Sequence, residues 1–472
     1  MTAAETFRKP AKTGTVETEE AARSIASLPP GPREGAFFQL KNWLFRLSEF
    51  LDECHARYGD TFTVRLPRFP PIVFVADPAT VKEVFTSDPD LTSAGQANLM
   101  LKPTLGAKSL LLLDGPRHRA ERKLLMPPFH GDRMRAYADI IRAATRATIE
   151  GSNGVPGWPQ DRAFPVDQEM KRITMIVMLR AVFGVEEGKR FDCLRRRIDR
   201  LLHLGNHPLF YMMINGEGEV RHKDLQERFP LSPWSVFLRA HREVDSLLNR
   251  EIAERRLSGE VRADVLSMLV AARDETGAAL DEQTLRDEML TLLVAGHKTT
   301  ATTLTWVLYW MLSEPGVWSK VRAEVEGGGH EYLDCVIKET MRLNPTIPFV
   351  LRRLQVATRI GDREIPAGVI VAPAMYLTHR RPASWPDPQR FDPERFRDSS
   401  TSYDYFPFGG GTRRCLGAAF ALHEMRIVIA EIVRIVELSL PRGYRARPVR
   451  RGIALSLADG LPVKMRLLRS TR

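Results

Sequence analysis

The chain has 472 residues, 43% hydrophobic and 27% charged, an ordinary globular mixture long enough to bury a sizeable core. A net charge of +11 admits nucleic acid, an anionic membrane or an acidic protein as partner, and an arginine-rich solvated surface accounts for it equally well. No Lys/Arg run with interleaved aromatics supports a nucleic-acid module, and four dispersed cysteines (Cys54, Cys193, Cys335, Cys415) argue against a disulfide framework and for a reducing cytoplasm.

Residues 1–27 are polar, without an apolar run, and read as a disordered tail rather than a secretory signal or transmembrane anchor. "LPPGP" (28–32) gives a stiff entry into the fold. "TFTVRL" (61–66) and "PIVFVA" (71–76) predict paired strands, and "DPATVKEVF" (77–85) a helix with Asp77 as cap and Pro78 at its first position. From about residue 117 to 343 the periodicity is helical with breaks. One break, 205–233, holds "NHPLFYMMING", an apolar patch read as a mobile lid, with a buried helix start as the alternative. Residues 354–376 turn strand-like, 379–396 are Pro-rich and irregular, 418–438 predict a long helix, and 450–467 a hairpin. The class is mainly α with a minor β portion, with no internal repeat or linker to divide it.

A helix over 281–315, opening with acids and closing before Pro315, would run roughly 50 Å. Its middle, "AGHKTT", is a poor helix choice: Gly296 costs about 1 kcal/mol against alanine. Ala295 and Thr299 share a face and could make a notch; a close helix crossing over Gly296 explains the same residues. "KETMR" sets Glu339 and Arg342 three apart, where an ion pair forms easily, and Arg395 could join them to pin separate segments. In "GPRHRAERK", His118 and Arg122 lie four apart and can both donate to an anion, though a solvated basic face is the simpler reading.

"FGGGTRRCLG" (408–417) lacks the Lys-Ser/Thr ending of a phosphate loop, and a zinc site lacks partner ligands. A catalytic cysteine remains open, since Cys415 precedes a helix whose N-terminus favours thiolate. A haem-thiolate loop explains more: glycines let backbone approach a flat macrocycle and aim N–H groups at sulfur, and Arg413 can reach a propionate.

These motifs resemble the cytochrome P-450 family of haem-thiolate monooxygenases, soluble bacterial type, over nearly the whole chain from residue 28. The match rests on Phe408, Gly411, Arg413, Cys415 and Gly417, on the Glu339–Arg342 pair with Arg395, and on His118, Arg122 and "AGHKTT". The resemblance implies one catalytic domain over 28–472 with a long helix above haem b (iron protoporphyrin IX). Cys415 would be the iron's axial ligand, with Phe408, Gly409 and Gly417 around it. Arg413, His118, Arg122 and Arg352 would take the propionates, and Glu339, Arg342 and Arg395 would be structural. Gly296 would open space for O2, and Thr299, followed by Thr300, would handle oxygen and protons. Lys298 stands where the family usually has Asp or Glu, and is expected to pair with an acid on a neighbouring helix.

The implied reaction inserts one oxygen atom from O2 into a small apolar substrate: a fatty acid, terpenoid, steroid or polyketide. Leu99, Met100, Leu101, Val294, Ala295, Thr299, Ile347, Phe349 and Val350, with Ile453 and Ala454 in the tail, are expected to contact it. Electrons would come from a ferredoxin or flavodoxin with its NAD(P)H-dependent reductase, docking near Arg117, Arg119, Lys123 and Arg414. A cytoplasmic monomer that binds no nucleic acid is expected. Lys298 keeps open a peroxygenase, an oxidative coupling enzyme or a rearrangement, and a non-catalytic haem sensor or carrier is the remaining alternative.

Overall fold

The computed structural model describes residues 28–468 except 130, 132, 153, 161, 186–187, 206, 208–209, 211–212, 222, 260–261 and 398–402. The tail expected over 1–27 lies outside the described residues. Thr61–Val64 and Ile72–Val75 pair antiparallel, with Phe62 opposite Phe74 and their rings stacked at 5.2 Å. Ile370–Pro373 then joins Ile72–Val75 in parallel, and Arg352–Leu354 and Thr92–Ser93 complete a five-stranded sheet. Asp77 caps the helix Pro78–Thr86 by accepting from the Thr80 N–H at 3.0 Å, with Pro78 in the first turn, as the sequence predicts.

Helices form the larger body. The long helix, Glu282–Ser313, is capped by Asp281, which accepts from the Thr284 N–H. Its 32 residues give about 48 Å. Most of it is buried, polar residues such as Asp287, Glu288, His297 and Thr300 included. Val166–Phe183 packs along it most extensively, and Pro233–Ser258, Glu331–Leu343, Ala418–Ile435 and the strand Ala454–Leu457 cover the rest. Among the described residues no helix is long and apolar enough to cross a membrane.

Three expectations change. The helix after Cys415 ends at Ile435; Val436–Ser439 becomes a strand, with Val436 and Leu438 buried on one face, pairing with Pro462–Leu467. The tail hairpin is therefore only Pro448–Arg451 with Ala454–Leu457, turning at Gly452 (φ 69°), and the last strand leaves it for another sheet. In the 205–233 break, Phe210 and Ile214 are core residues. The Phe210 ring lies 4.4 Å from Phe237 and 6.2 Å from Trp234, so the described part of the patch is packed rather than an open lid.

Candidate functional site

Cys415 leaves a tight turn, Gly411–Arg413, and its N–H donates to Phe408 O at 2.9 Å. Gly409 and Gly411 are left-handed (φ 69° and 63°). A Cβ on Gly411 would stand 2.2 Å from Phe85 O, and one on Gly410 2.5 Å from the Phe85 ring, so only glycine lets the loop lie on that phenylalanine. Gly417 opens the helix Ala418–Ile435, and its N–H bonds to the Cys415 sulfur. Burial pushes the thiol up, while the Gly417 N–H, Arg122 and Arg414 favour the anion. Cys415 is nonetheless an accessible residue. The thiol is thus ringed by protein on most sides and open on the rest.

Four basic groups stand beside it. Arg413 donates to the carbonyls of Leu110 and Leu113 and pairs with Asp114. Arg122 Nη2 donates to Arg414 O at 2.7 Å. Arg352 is buried, donates to Leu351 O at 2.9 Å and lies 5.9 Å over the Phe85 ring; burial, with Arg413 adding to it, brings its pKa down to about 10. His118 is pushed down to about 4 by burial, then by Arg413 and Arg122, and is neutral at pH 7. Asp114 is the carboxylate that offsets them. Three guanidiniums held this close in a half-dry site call for an anion. A cleft of about 520 Å3 opens between the Gly115–Leu125 helix and Thr412. An accessible thiol at a helix N-terminus, glycines that exclude any side chain, and excess guanidinium beside them fit haem b and its two propionates.

Midway along the long helix burial is interrupted: Ala295 is exposed and Val294, Gly296 and Thr299 are half-buried, whereas Leu293 and Thr300 are buried. Thr299 Oγ1 donates to Ala295 O at 2.5 Å. A Cβ on Gly296 would lie 2.8 Å from Met178 Sδ, so this glycine permits the close crossing of Val166–Phe183. Lys298 Nζ donates to Leu202 O at 3.1 Å, in the last turn of Lys189–Gly205, where an ammonium suits the helix end. Its direct partner is thus a carbonyl rather than the acid expected. Asp199 of that helix supplies the opposite charge nearby, against Lys171 and Arg451, and burial brings the amine down to about 8. His297, with no signal in the sequence to single it out, is buried, lies 3.0 Å from Thr174 Oγ1 through Nδ1, and is pushed down to about 3 by burial.

Glu339 and Arg342 are completely buried. Arg342 grips both Glu339 oxygens at 2.7 and 2.8 Å and donates to the carbonyls of His379, Pro388 and Arg390. Glu339 also accepts the Asp392 N–H at 2.9 Å, and Arg395 Nε lies 3.6 Å from it. His379, also missed, is buried and accepts the Phe406 N–H through Nε2 at 2.9 Å, which anchors the start of the cysteine loop.

Of the residues expected to face substrate, Leu99–Leu101 form a short 3-10 turn and are half-buried, as are Ile347 and Val350. Ala454 is buried in a strand against the long helix. Phe349 is instead packed between Trp43 and Phe74 (5.1 and 5.3 Å), and Ile453 is 41% exposed at the hairpin turn.

A family model described as Cytochrome P450 matches residues 26–459. Cytochrome P450 135B1 of Mycobacterium tuberculosis is 40% identical over 455 residues, covering 94% of this chain and 93% of the relative. Cytochrome P450 138 of the same organism is 35% identical, covering 96% and 99%. The retinoic acid-bound cyanobacterial CYP120A1 superposes with a TM-score of 0.78 at 24% identity, covering 93% of this chain and 99% of that one. The cytochrome P450DA heme domain gives 0.77 at 22%, covering 94% and 98%. At such identities these two structures speak for the fold alone.

Proposed function

Because this chain belongs to the cytochrome P450 family, we propose that it oxygenates a small apolar molecule (a fatty acid, terpenoid, steroid or polyketide) with electrons from a ferredoxin or flavodoxin and its NAD(P)H-dependent reductase. Membership makes it a haem-thiolate monooxygenase in general terms, with haem b as cofactor, O2 as co-substrate and electrons received from outside. The single observation that supports the reading best is the walled-in yet accessible Cys415, with the Gly417 N–H on its sulfur and the guanidinium cluster beside it.

Haem b, when bound, supplies the iron chemistry that activates O2, made electron-rich by a thiolate ligand. The chain's own residues do the rest. Burial pushes the Cys415 thiol up, and Gly417, Arg122 and Arg414 work against it in favour of the anion. Arg413, Arg352, Arg122 and neutral His118 hold carboxylates. Met100, Val294, Ala295, Ile347 and Val350 offer apolar surface that binds substrate and excludes water. The Thr299 hydroxyl, resting on Ala295 O, can turn outward to hold or pass a proton. Arg119 and Arg414 are exposed, and Arg117 and Lys123 stand on the same helix as Arg119, a basic face suited to an acidic electron donor. A single domain over 28–472, acting as a cytoplasmic monomer, completes the proposal.

The test is product analysis under 18O2 with a ferredoxin–reductase pair, after the carbon monoxide spectrum of the reduced protein has been recorded. One labelled oxygen per product and a strongly red-shifted Soret band are expected; unlabelled product, or no such band after haem reconstitution, sinks the reading. A peroxide-using outcome is the second reading, favoured by Lys298 in the place of an acid. It predicts product from hydrogen peroxide without any reductase.

A further inference from the structure

Residues 108–114 run as a strap between the long helix and the cysteine loop. Four contacts hang it from the long helix. The Lys108 N–H donates to Asp287 Oδ2 at 2.8 Å and the Leu110 N–H to Glu288 Oε1 at 2.6 Å. Thr291 Oγ1 meets Ser109 Oγ at 2.7 Å, and Lys108 Nζ meets Asp281 Oδ2 at 2.8 Å. On its other side the strap receives Arg413 through the carbonyls of Leu110 and Leu113 and the Asp114 carboxylate. Leu110 is therefore gripped twice, at its N–H by Glu288 and at its carbonyl by Arg413.

Glu288 is buried, and Glu121 is near enough for its charge to act on it. Glu121 stands on Gly115–Leu125, the helix that carries His118 and Arg122. Glu288 Oε2 and Glu121 Oε2 are both buried with no hydrogen-bond partner among the described residues, and each acid bears on the charge of the other. Two buried carboxylates left side by side without a donor repel, and a proton held by one of them relieves both. Burial, the leading cause, raises both acids, Glu288 well above its ordinary value. Glu121 and Asp287 add to that rise at Glu288, while at Glu121 Arg117 and Lys108 act against Asp281.

We propose that Glu288 is a positioning residue for haem binding: through the backbone of Leu110 it sets where the Arg413 guanidinium stands, with Glu121 as its proton-sharing partner. The inference rests on the reading of Arg413 as a propionate anchor. It assigns work to a carboxyl in the N-terminal half of the long helix, about two turns before Ala295 and about three before Thr299.

Full-length holoprotein is compared as wild type, Glu288→Gln and Glu288→Ala. The readouts are haem transfer to excess apomyoglobin and the midpoint potential. The amide of Gln accepts the Leu110 N–H and donates to Glu121, so this variant should release haem at the wild-type rate at neutral pH. Ala leaves the Leu110 N–H without its acceptor, and release should quicken roughly tenfold, with a shifted potential. In wild type the shared proton is held below the raised pKa and lost as pH rises, so release should quicken in alkali; with Gln it should not. The inference is overturned if Ala matches wild type in both readouts, or if Gln behaves as Ala. Should Ala fail to fold, an alkaline rise in the Gln variant equal to that of wild type overturns it. The carbon monoxide spectrum of wild type, taken on the same samples, tests the haem-thiolate reading separately: its failure condemns that reading, whereas equal haem release condemns only the role of Glu288.

Discussion

Lys298→Met removes a charge from a buried place while keeping the length of an unbranched stem. The amine titrates at about 8 in the folded protein against an ordinary 10.5, with burial as the main cause. That depression amounts to about 3 kcal/mol by which folding disfavours the ammonium. Some of the gain from removing it is lost with the Leu202 carbonyl bond, so the variant should be more stable at pH 7 by about 1–3 kcal/mol, a few degrees in Tm. The direction with pH follows from proton counting. Between about 8 and 10.5 the unfolded chain binds more protons at this lysine than the folded one, so wild-type stability gains with rising pH. Below about 8 the penalty is present in full. The advantage of the Met variant should therefore be constant below pH 8 and shrink toward zero by 10.5. Differential calorimetry of both proteins at equal haem saturation reads this, and the wild-type/variant difference cancels the titration of other groups. A variant no more stable at pH 7, or an advantage that persists unchanged at pH 10.5, refutes the reasoning.

Arg342→Lys replaces a planar fork by a point charge and abandons carbonyls of the 379–390 stretch; a loss of about 3–5 kcal/mol is expected, seen as a lower Tm and a lower yield of holoprotein. Gly296→Ala gains about 1 kcal/mol of helix propensity and pushes the flexible Met178 side chain, so its Tm should stay within a degree or two of wild type, measured by thermal melting. Arg352→Leu should divide the two forms of the protein: the apoprotein gains up to about 3 kcal/mol from losing a buried cation, while haem affinity falls, and calorimetry with and without haem shows the crossing. Thr299→Val keeps the β-branched shape without the hydroxyl; product per electron consumed should fall on the order of 10²-fold while haem spectra persist.

Residues whose chemistry depends on near neighbours in sequence could be read without coordinates. The glycines flanking Cys415 and the three-residue spacing of Glu339 and Arg342 are of this kind, because loop flexibility and helix facing are local properties. The Asp77 cap was readable for the same reason. Asp287 and Glu288 were hidden because acids near a helix start already have an explanation in the helix dipole. Only the approach of residues 108–114, far away in sequence, gives them partners. His379 and His297 were missed because a lone histidine carries no sign of what it will be buried against. Phe349 looked like substrate lining beside Ile347 and Val350, but an aromatic ring in a short connection goes wherever a core has room, here between Trp43 and Phe74. The helix that ends at Ile435 ran on to 438 in the sequence because its apolar pattern continues smoothly into the strand that follows.

The grip of Arg342 on the irregular stretch has a consequence in time. Its carbonyl partners lie 37 to 48 residues further along the chain. During synthesis the segment Glu331–Leu343 therefore emerges before the groups that satisfy its arginine have left the ribosome, and for some seconds, at about 5–20 residues per second, that guanidinium must stay in water. The stretch in turn has no strand or helix of its own to hold it, so it can settle only after the helix is in place. Cys415 follows directly, tethered through His379 and Phe406. The thiol loop thus depends on the 379–390 stretch being in place, and a full-length chain whose residue 342 cannot hold that stretch should order the loop, and capture haem, more slowly.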